Sequence, residues 1–193
     1  MVTKIKQGDL RWANVLLGPS NATVRDYGCT TSSLCMAIEK LRGYFCSPAD
    51  AARYWAYTKQ GLIIWGATEF KGMKFVKRGY TGNIEEVKKY ANAKDKAAII
   101  EVNNGKHWVY VDNISANGDI AIIDPIDGNY YDYLPSKYKF TGYAIFEKVE
   151  LVSDWAQESW TKATKKGIVD GTRPQESVTR EELMVILDRL KLI

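Results

Sequence analysis

A cysteine preceded by glycine and a single histidine are the residues of this chain best suited to covalent chemistry. Gly28 permits a sharp turn and leaves room for a substrate, and Cys29 then begins a predicted helix. A thiol at a helix start feels the positive end of the helix dipole, which favours the nucleophilic thiolate. His107 follows a turn and begins a predicted strand over residues 107–114. The pair therefore predicts a cysteine nucleophile with an imidazole base.

A third group is needed to hold the imidazole in one tautomer and to stabilise its charged form. Asp124 ends a predicted strand over residues 118–124 and is the favoured residue. The alternative interpretation is an aspartate that initiates the turn at Pro125, and spacing alone leaves both roles open. Asp112 is the runner-up, because strand alternation points it away from the face of His107.

Hydrophobic periodicity and turn residues predict an α+β fold, with helices first and an antiparallel sheet afterwards. The predicted helices are Cys29 to Gly43, a segment capped by Ser47 that runs to about Thr58, and a short one capped by Asn83. Residues 61–82 are interpreted as loops and short strands. The first twenty-odd residues are interpreted as an extended arm and a loop, ending in the polar run GPSNATVRDYG (18–28). The predicted strands cover residues 97–103, 107–114, 118–124 and 142–151.

The character of the chain changes after residue 150, so the sequence predicts two parts, 1–150 and 151–193. The second part contains an amphipathic helix over residues 155–167, a turn-rich link, and a helix capped by Thr179. Such a hairpin is too small to be stable alone. It must pack on the body, form a dimer or be stabilised by a ligand.

The composition of the 193 residues excludes several functional classes. A net charge of +4 without a basic cluster argues against nucleic acid and is compatible with an anionic wall polymer. Three cysteines without a CxxC pair, and one histidine, favour neither a disulfide scaffold nor a zinc site, and no cofactor is predicted. The sequence shows neither a secretory signal nor a membrane span, which predicts synthesis and retention in a reducing cytosol.

Five segments together resemble the papain-fold family of bacteriocin-processing (double-glycine) peptidases, particularly its free-standing relatives associated with cell walls. They are Gln7 with Trp12, GCTTSSLCMAI (28–38), SPADAARYW (47–55), HWVYV (107–111) and the pair Asp124-Pro125. The resemblance implies a papain-like fold with N-terminal helices packed on an antiparallel sheet. It also implies that Cys29 is the nucleophile, His107 the base, Asp124 the orienting group and Gln7 a donor to the oxyanion.

The C-terminal hairpin resembles one S-layer homology motif, a unit that anchors proteins to cell walls, in a single shortened copy over residues 155–190. A papain-like domain with such a hairpin and no signal peptide looks like a bacteriophage endolysin. The resemblance implies hydrolysis of an amide in peptidoglycan, by an endopeptidase or amidase, after holin-mediated release from the host cytoplasm. The implied partners are peptidoglycan or a secondary wall polymer, and a second copy of the chain if the hairpin dimerises. An acyltransferase or transpeptidase, and a silent wall-binding module, are the alternatives.

Aromatic residues between the second predicted helix and the sheet are candidates for the wall of a substrate groove. The hypothesis places Tyr54, Trp55, Trp65 and Tyr80 there, with Trp108 next to the histidine and Gly28 next to the cysteine. Plain core packing is the alternative for each aromatic residue.

Overall fold

The structure is a computed structural model that describes residues 2–68, 70–149, 151–171 and 178–193. Contacts divide the chain into two compact units, Met1–Lys148 and Val149–Ile193. Each unit is described by itself.

Four helices and six strands form the described part of the first unit, which is α+β. The helices are α1 (Val24–Tyr27), α2 (Cys29–Arg42), α3 (Pro48–Tyr54) and α4 (Ile84–Ala91). The strands are β1 (Met73–Gly79), β2 (Lys96–Val102), β3 (His107–Ile114), β4 (Ile120–Asp124), β5 (Asn129–Tyr131) and β6 (Phe140–Lys148). They form one open sheet in the order β1-β6-β2-β3-β4-β5, and every pairing is antiparallel.

The central helix α2 begins and ends where local sequence signals predict. Gly28 is its N-cap and Cys29 its first residue. Gly43 ends the helix with a φ of +74°, a left-handed conformation that glycine adopts without steric cost. The helix packs on β2, β3 and β6 of the sheet. Its N-terminus therefore carries Cys29 to the region where β3 begins.

Both faces of the sheet are covered, and strand β3 shows how its residues divide between them. Trp108 and Tyr110 belong to the core cluster that α2 and α3 share with the sheet. Val109 and Val111 belong to a second cluster, which includes Val87 of α4. This is the alternation predicted for a strand whose side chains point to opposite faces.

Helix α3 ends at Tyr54, whereas the sequence predicts a helix that runs to about Thr58. Trp55 is already in an extended conformation and is buried against Phe70, with ring centroids 5.4 Å apart. Two residues later the Tyr57 hydroxyl forms a 2.9 Å hydrogen bond with a threonine of α2. These distant contacts turn the chain out of the helix.

Three other elements differ from the sequence prediction. Helix α1 lies in the loop predicted at the end of the N-terminal arm. Strand β1 is a single long strand within residues 61–82, and strand β5 follows the predicted turn at residues 124–128, where no strand is predicted. Both strands lie at the edges of the sheet, and each pairs with only one neighbour.

The second unit contains a 3₁₀ turn (Asp154–Ala156), helix α5 (Gln157–Lys165) and helix α6 (Arg180–Arg189). Thr179 and Glu182 form a reciprocal capping box at the start of α6, as the sequence pattern predicts. The Arg189 guanidinium donates hydrogen bonds to the carbonyls of Gly167 and Ile168 at 2.8 and 3.0 Å. Residues 172–177 of the predicted link lie outside the described residues.

In the ranges that the structure describes, no helix combines the length and the apolar character needed to cross a membrane.

Candidate active site

Cys29 owes its position to the junction of two helices. The glycine before it is buried, and a side chain there would place its Cβ 2.3 Å from the carbonyl oxygen of Val24. Gly28 therefore lets α1 and α2 meet closely. Close helix packing is thus one reason for a glycine at this position. The other is its predicted role in leaving room for substrate.

His107 and Asp124 meet at one end of the sheet. The register of β3 with β4 pairs Tyr110 with Ile123, which brings the first residue of β3 close to the last residue of β4. His107 Nε2 lies 2.8 Å from Asp124 Oδ1, and both side chains are buried. Because Nε2 is used in this bond, Nδ1 is the ring nitrogen left to contact Cys29.

The Cys29 thiol and the His107 imidazole interact closely enough for each group to shift the pKa of the other. Burial by itself raises the pKa of Cys29, but His107, the backbone N–H of Trp108 and the Thr30 hydroxyl outweigh it, and the net shift is downward. Burial by itself lowers the pKa of His107, but Asp124 and Cys29 outweigh it and raise that pKa to about 9. Both shifts favour a thiolate–imidazolium pair at neutral pH, which is the activated form of a cysteine nucleophile.

Asp124 is fully buried and accepts three hydrogen bonds. Oδ1 accepts from His107 and, at 2.9 Å, from the backbone N–H of Ile126, while Oδ2 accepts from the Tyr138 hydroxyl. Burial raises the pKa of Asp124, but the bonds from His107, Tyr138 and Ile126 lower it more. The carboxylate therefore stays ionised beside the imidazolium.

The structure does not bring Asp112, the runner-up, to this network. It lies near the far end of β3 from His107, at a β-bulge between Val111 and Asn113. Five positions along a strand correspond to roughly 16 Å, so Asp112 is too distant to contact the imidazole. The predicted strand alternation also points its side chain away from the face of His107.

Tyr138 is the member of this network that sequence reasoning missed. It lies between β5 and β6, and its ring centroid is 5.5 Å from that of His107. The ring partly covers the His107–Asp124 pair, and its hydroxyl holds the carboxylate. No sequence signal distinguishes it from the neighbouring tyrosines Tyr130, Tyr131 and Tyr133, because the contact is made only by the folded chain.

Gln7 joins the N-terminal arm to both halves of the site. Its backbone N–H donates to the carbonyl of Pro125 at 2.7 Å, directly after Asp124. Its side-chain Nε2 donates to the carbonyl of Arg25 at 2.6 Å, four residues before Cys29. An amide nitrogen carries two hydrogens, so one remains for a substrate oxygen. Gln7 is thus joined to the segment that leads into Cys29.

The backbone N–H of Cys29 is a second available donor. In a continuous helix it would bond the carbonyl of Arg25, but that carbonyl accepts from Gln7 instead. As the first residue of α2, Cys29 has no acceptor within its own helix. Among the described residues this N–H has no backbone partner, and it can donate to the oxyanion of an acyl-transfer intermediate.

The predicted aromatic groove is assembled only in part. Trp55 lies in the core, 5% exposed, so it is not brought to the site. Tyr54 is well exposed on α3. Trp65 is half-buried and packs against Trp108, with ring centroids 5.5 Å apart. Tyr80 is exposed.

An arginine outside the predicted set of site residues organises the aromatic side chains near His107. The Arg78 guanidinium lies 5.7, 5.1 and 4.9 Å from the ring centroids of Trp65, Trp108 and Tyr80. It also pairs with the buried carboxylate of Glu101, which lies opposite Trp108 in the sheet. Cation–π contacts and this ion pair hold Trp108, whose backbone N–H lowers the pKa of Cys29.

The other two cysteines lie in the core. Cys35 and Cys46 are both buried, and each thiol shifts the pKa of the other. Burial raises the pKa of the Cys35 thiol, which keeps it protonated and unreactive. In the described part of the chain, no group of three or more histidine, cysteine, aspartate or glutamate residues is arranged to hold a metal ion.

Comparisons with protein-family models, with curated proteins and with solved structures find no match to this chain.

Proposed function

We propose that this chain is a papain-like cysteine hydrolase that cleaves an amide bond of bacterial cell-wall peptides. The observation that carries the proposal is the buried hydrogen bond between His107 and Asp124, beside a Cys29 thiol whose pKa His107 lowers. A thiol at a helix start, an imidazole and a buried carboxylate in this order form a nucleophile, a base and an orienting group.

The proposed reaction begins with attack of the Cys29 thiolate on the substrate carbonyl carbon. Gln7 Nε2 and the Cys29 N–H hold the oxygen that becomes negatively charged. The imidazolium of His107 gives its proton to the leaving amine as the C–N bond breaks and a thioester forms. The neutral imidazole then removes a proton from water, which attacks the thioester and releases the carboxylic acid and the thiolate.

The cell-wall target rests on the resemblance of the second unit to a wall-anchoring motif. In this proposal the enzyme acts on peptidoglycan after release from the host cytoplasm through a holin, and the hairpin binds the wall, docks on the body or joins two copies. Light scattering of the full chain at several concentrations distinguishes a dimer from a monomer.

The decisive experiment compares the wild type with Cys29→Ala on purified Gram-positive walls. We expect the wild type to reduce turbidity and to release muropeptides whose masses identify the cleaved bond, and Cys29→Ala to do neither. Added amine nucleophiles would produce amide-linked products if the enzyme is a transferase. Equal clearing by both proteins, or no clearing of any wall type, would contradict the proposal.

A matched pair of aspartates on adjacent strands sharpens this test. Asp124→Asn should lower kcat/KM by about 100-fold or more, since the imidazole would lose the carboxylate that holds its tautomer and stabilises its charged form. Asp112→Asn should keep activity within about twofold, because substitutions remote from buried networks are usually near neutral. Equal losses in the two variants would show that Asp124 has no particular role.

A further inference from the structure

An open groove lies beside the proposed catalytic residues, on the side of the N-terminal arm. Its volume is about 640 Å³. Six residues line it: Gln7, Gly8, Arg25, Asp26, Tyr27 and Ile126. Of these, only Gln7 carries a role in the proposed reaction.

The groove is fixed to the catalytic residues through short connections. Gln7 bonds the carbonyls of Pro125 and Arg25, and so joins the two walls. Ile126 donates its backbone N–H to Asp124, and Tyr27 lies two residues before Cys29. A peptide that occupies the groove therefore contacts Gln7 and the segment that leads into Cys29.

The chemistry of the lining favours a peptide segment with a carboxylate. Arg25 is exposed, and its guanidinium has no ion-pair or hydrogen-bond partner among the described residues. Guanidinium groups bind carboxylates through paired hydrogen bonds. Asp26 is instead engaged by the Thr23 hydroxyl at 2.7 Å. Tyr27 and Ile126, 61% and 51% exposed, offer apolar surface to an aliphatic side chain.

We propose that this groove is a peptide subsite in which the exposed Arg25 guanidinium pairs with a substrate carboxylate. The proposal rests on the proposed function and narrows its substrate class. The preferred wall peptide has a free carboxylate at this position, where amidated peptides have a carboxamide. The reaction itself is unchanged, since the Arg25 ion pair transfers no proton and forms no covalent bond.

The test measures binding in the Cys29→Ala background, where no turnover occurs. Two synthetic stem peptides are used that differ only in one glutamate carboxylate, which is free in one and a carboxamide in the other. We expect the carboxylate peptide to bind about 5- to 10-fold more tightly, because a solvent-accessible ion pair contributes about 1 kcal/mol. Arg25→Gln should remove the difference. Arg53→Gln changes an exposed arginine that does not line the groove and should preserve it.

The outcomes separate this inference from the proposed function. The inference is overturned if Arg25→Gln keeps the preference, or if the wild type cleaves walls while the Cys29→Ala protein binds both peptides equally. Arg25-dependent preference without wall cleavage would support the subsite and contradict the hydrolase. Circular dichroism of Arg25→Gln establishes that the variant is folded. Arg25→Glu reverses the charge at this position and should bind the carboxamide peptide more tightly than the carboxylate peptide.

Discussion

Tyr138 donates its phenolic hydrogen bond to Oδ2 of Asp124, the carboxylate oxygen that His107 does not use. The three side chains form one network, so the hydroxyl influences the imidazole through the carboxylate. Without that bond the carboxylate is more basic and holds the imidazolium more strongly. Tyr138 is therefore a positioning residue for the proposed reaction.

Tyr138→Phe removes the hydroxyl and keeps the ring beside His107. We expect kcat/KM on a wall peptide to fall by about 10-fold, because a hydrogen bond to a charged group contributes about 1.5–3 kcal/mol and this one is partly exposed. The alkaline limb of the pH–rate profile should move upward. Tyr131→Phe, which removes a 2.6 Å bond to Asp127, is the control. A similar loss in the control, or an unmoved profile, would contradict the positioning role.

The thiolate character of Cys29 can be measured without a substrate. Burial raises its pKa, but His107, the Trp108 N–H and the Thr30 hydroxyl lower it more, so the thiolate persists below the ordinary thiol pKa of about 8.5. We expect Cys29 to react with iodoacetamide well below that pH, as followed by mass spectrometry. His107→Ala should move the midpoint upward. Cys35 and Cys46, both buried, should remain unmodified.

A wild-type alkylation midpoint near that of a free thiol would show that the imidazole does not activate Cys29. Faster labelling of Cys35 or Cys46 than of Cys29 would contradict the proposed assignment of the nucleophile.

Acid stability should depend on Asp124. Burial raises its pKa, but bonds from His107, Tyr138 and Ile126 lower it below the value of about 3.9 for an unfolded aspartate. A depressed carboxyl pKa stabilises the fold above the unfolded value, and this contribution is lost as the pH falls through the folded value. The free energy of unfolding of the wild type, relative to Asp124→Asn, should therefore decrease on acidification below about pH 4. Urea titrations at pH 7, 5, 4 and 3 measure it, and a constant difference would contradict the shift.

The helix junction before Cys29 should tolerate no side chain. In Gly28→Ala the new Cβ would lie 2.3 Å from the Val24 carbonyl oxygen, so α1 must move away from α2. We expect the variant to lose about 1–3 kcal/mol of unfolding free energy, the usual cost of overpacking. Gly8→Ala is the control, because the nearest heavy atom to its Cβ is 4.0 Å away on Lys6. Equal stability of the two variants in urea would show that the junction can adapt.

Several features follow from the sequence because they depend on neighbours along the chain. The start of α2 at Cys29, its end at Gly43 and the Thr179 cap of α6 are set by glycine conformation and by side-chain caps within one turn. The bounds of β3, and the division of its side chains between two faces, follow from alternation. The single histidine of the chain likewise leaves only one imidazole that could serve as the base.

Tertiary structure alone decided the features that join distant segments. The edge strand β1 exists through pairing with β6, and α3 ends at Tyr54 because the following residues make contacts with other elements. Tyr138 meets Asp124, and Gln7 bridges Pro125 and Arg25, across stretches of chain for which no periodicity or cap gives a signal. The sequence by itself determined which residues could do the chemistry, through their types and local conformation. Only the fold decided which of them meet. Long-range contacts depend on which strands pair, and in which register, and on which side chains pack near the Cys29 thiol.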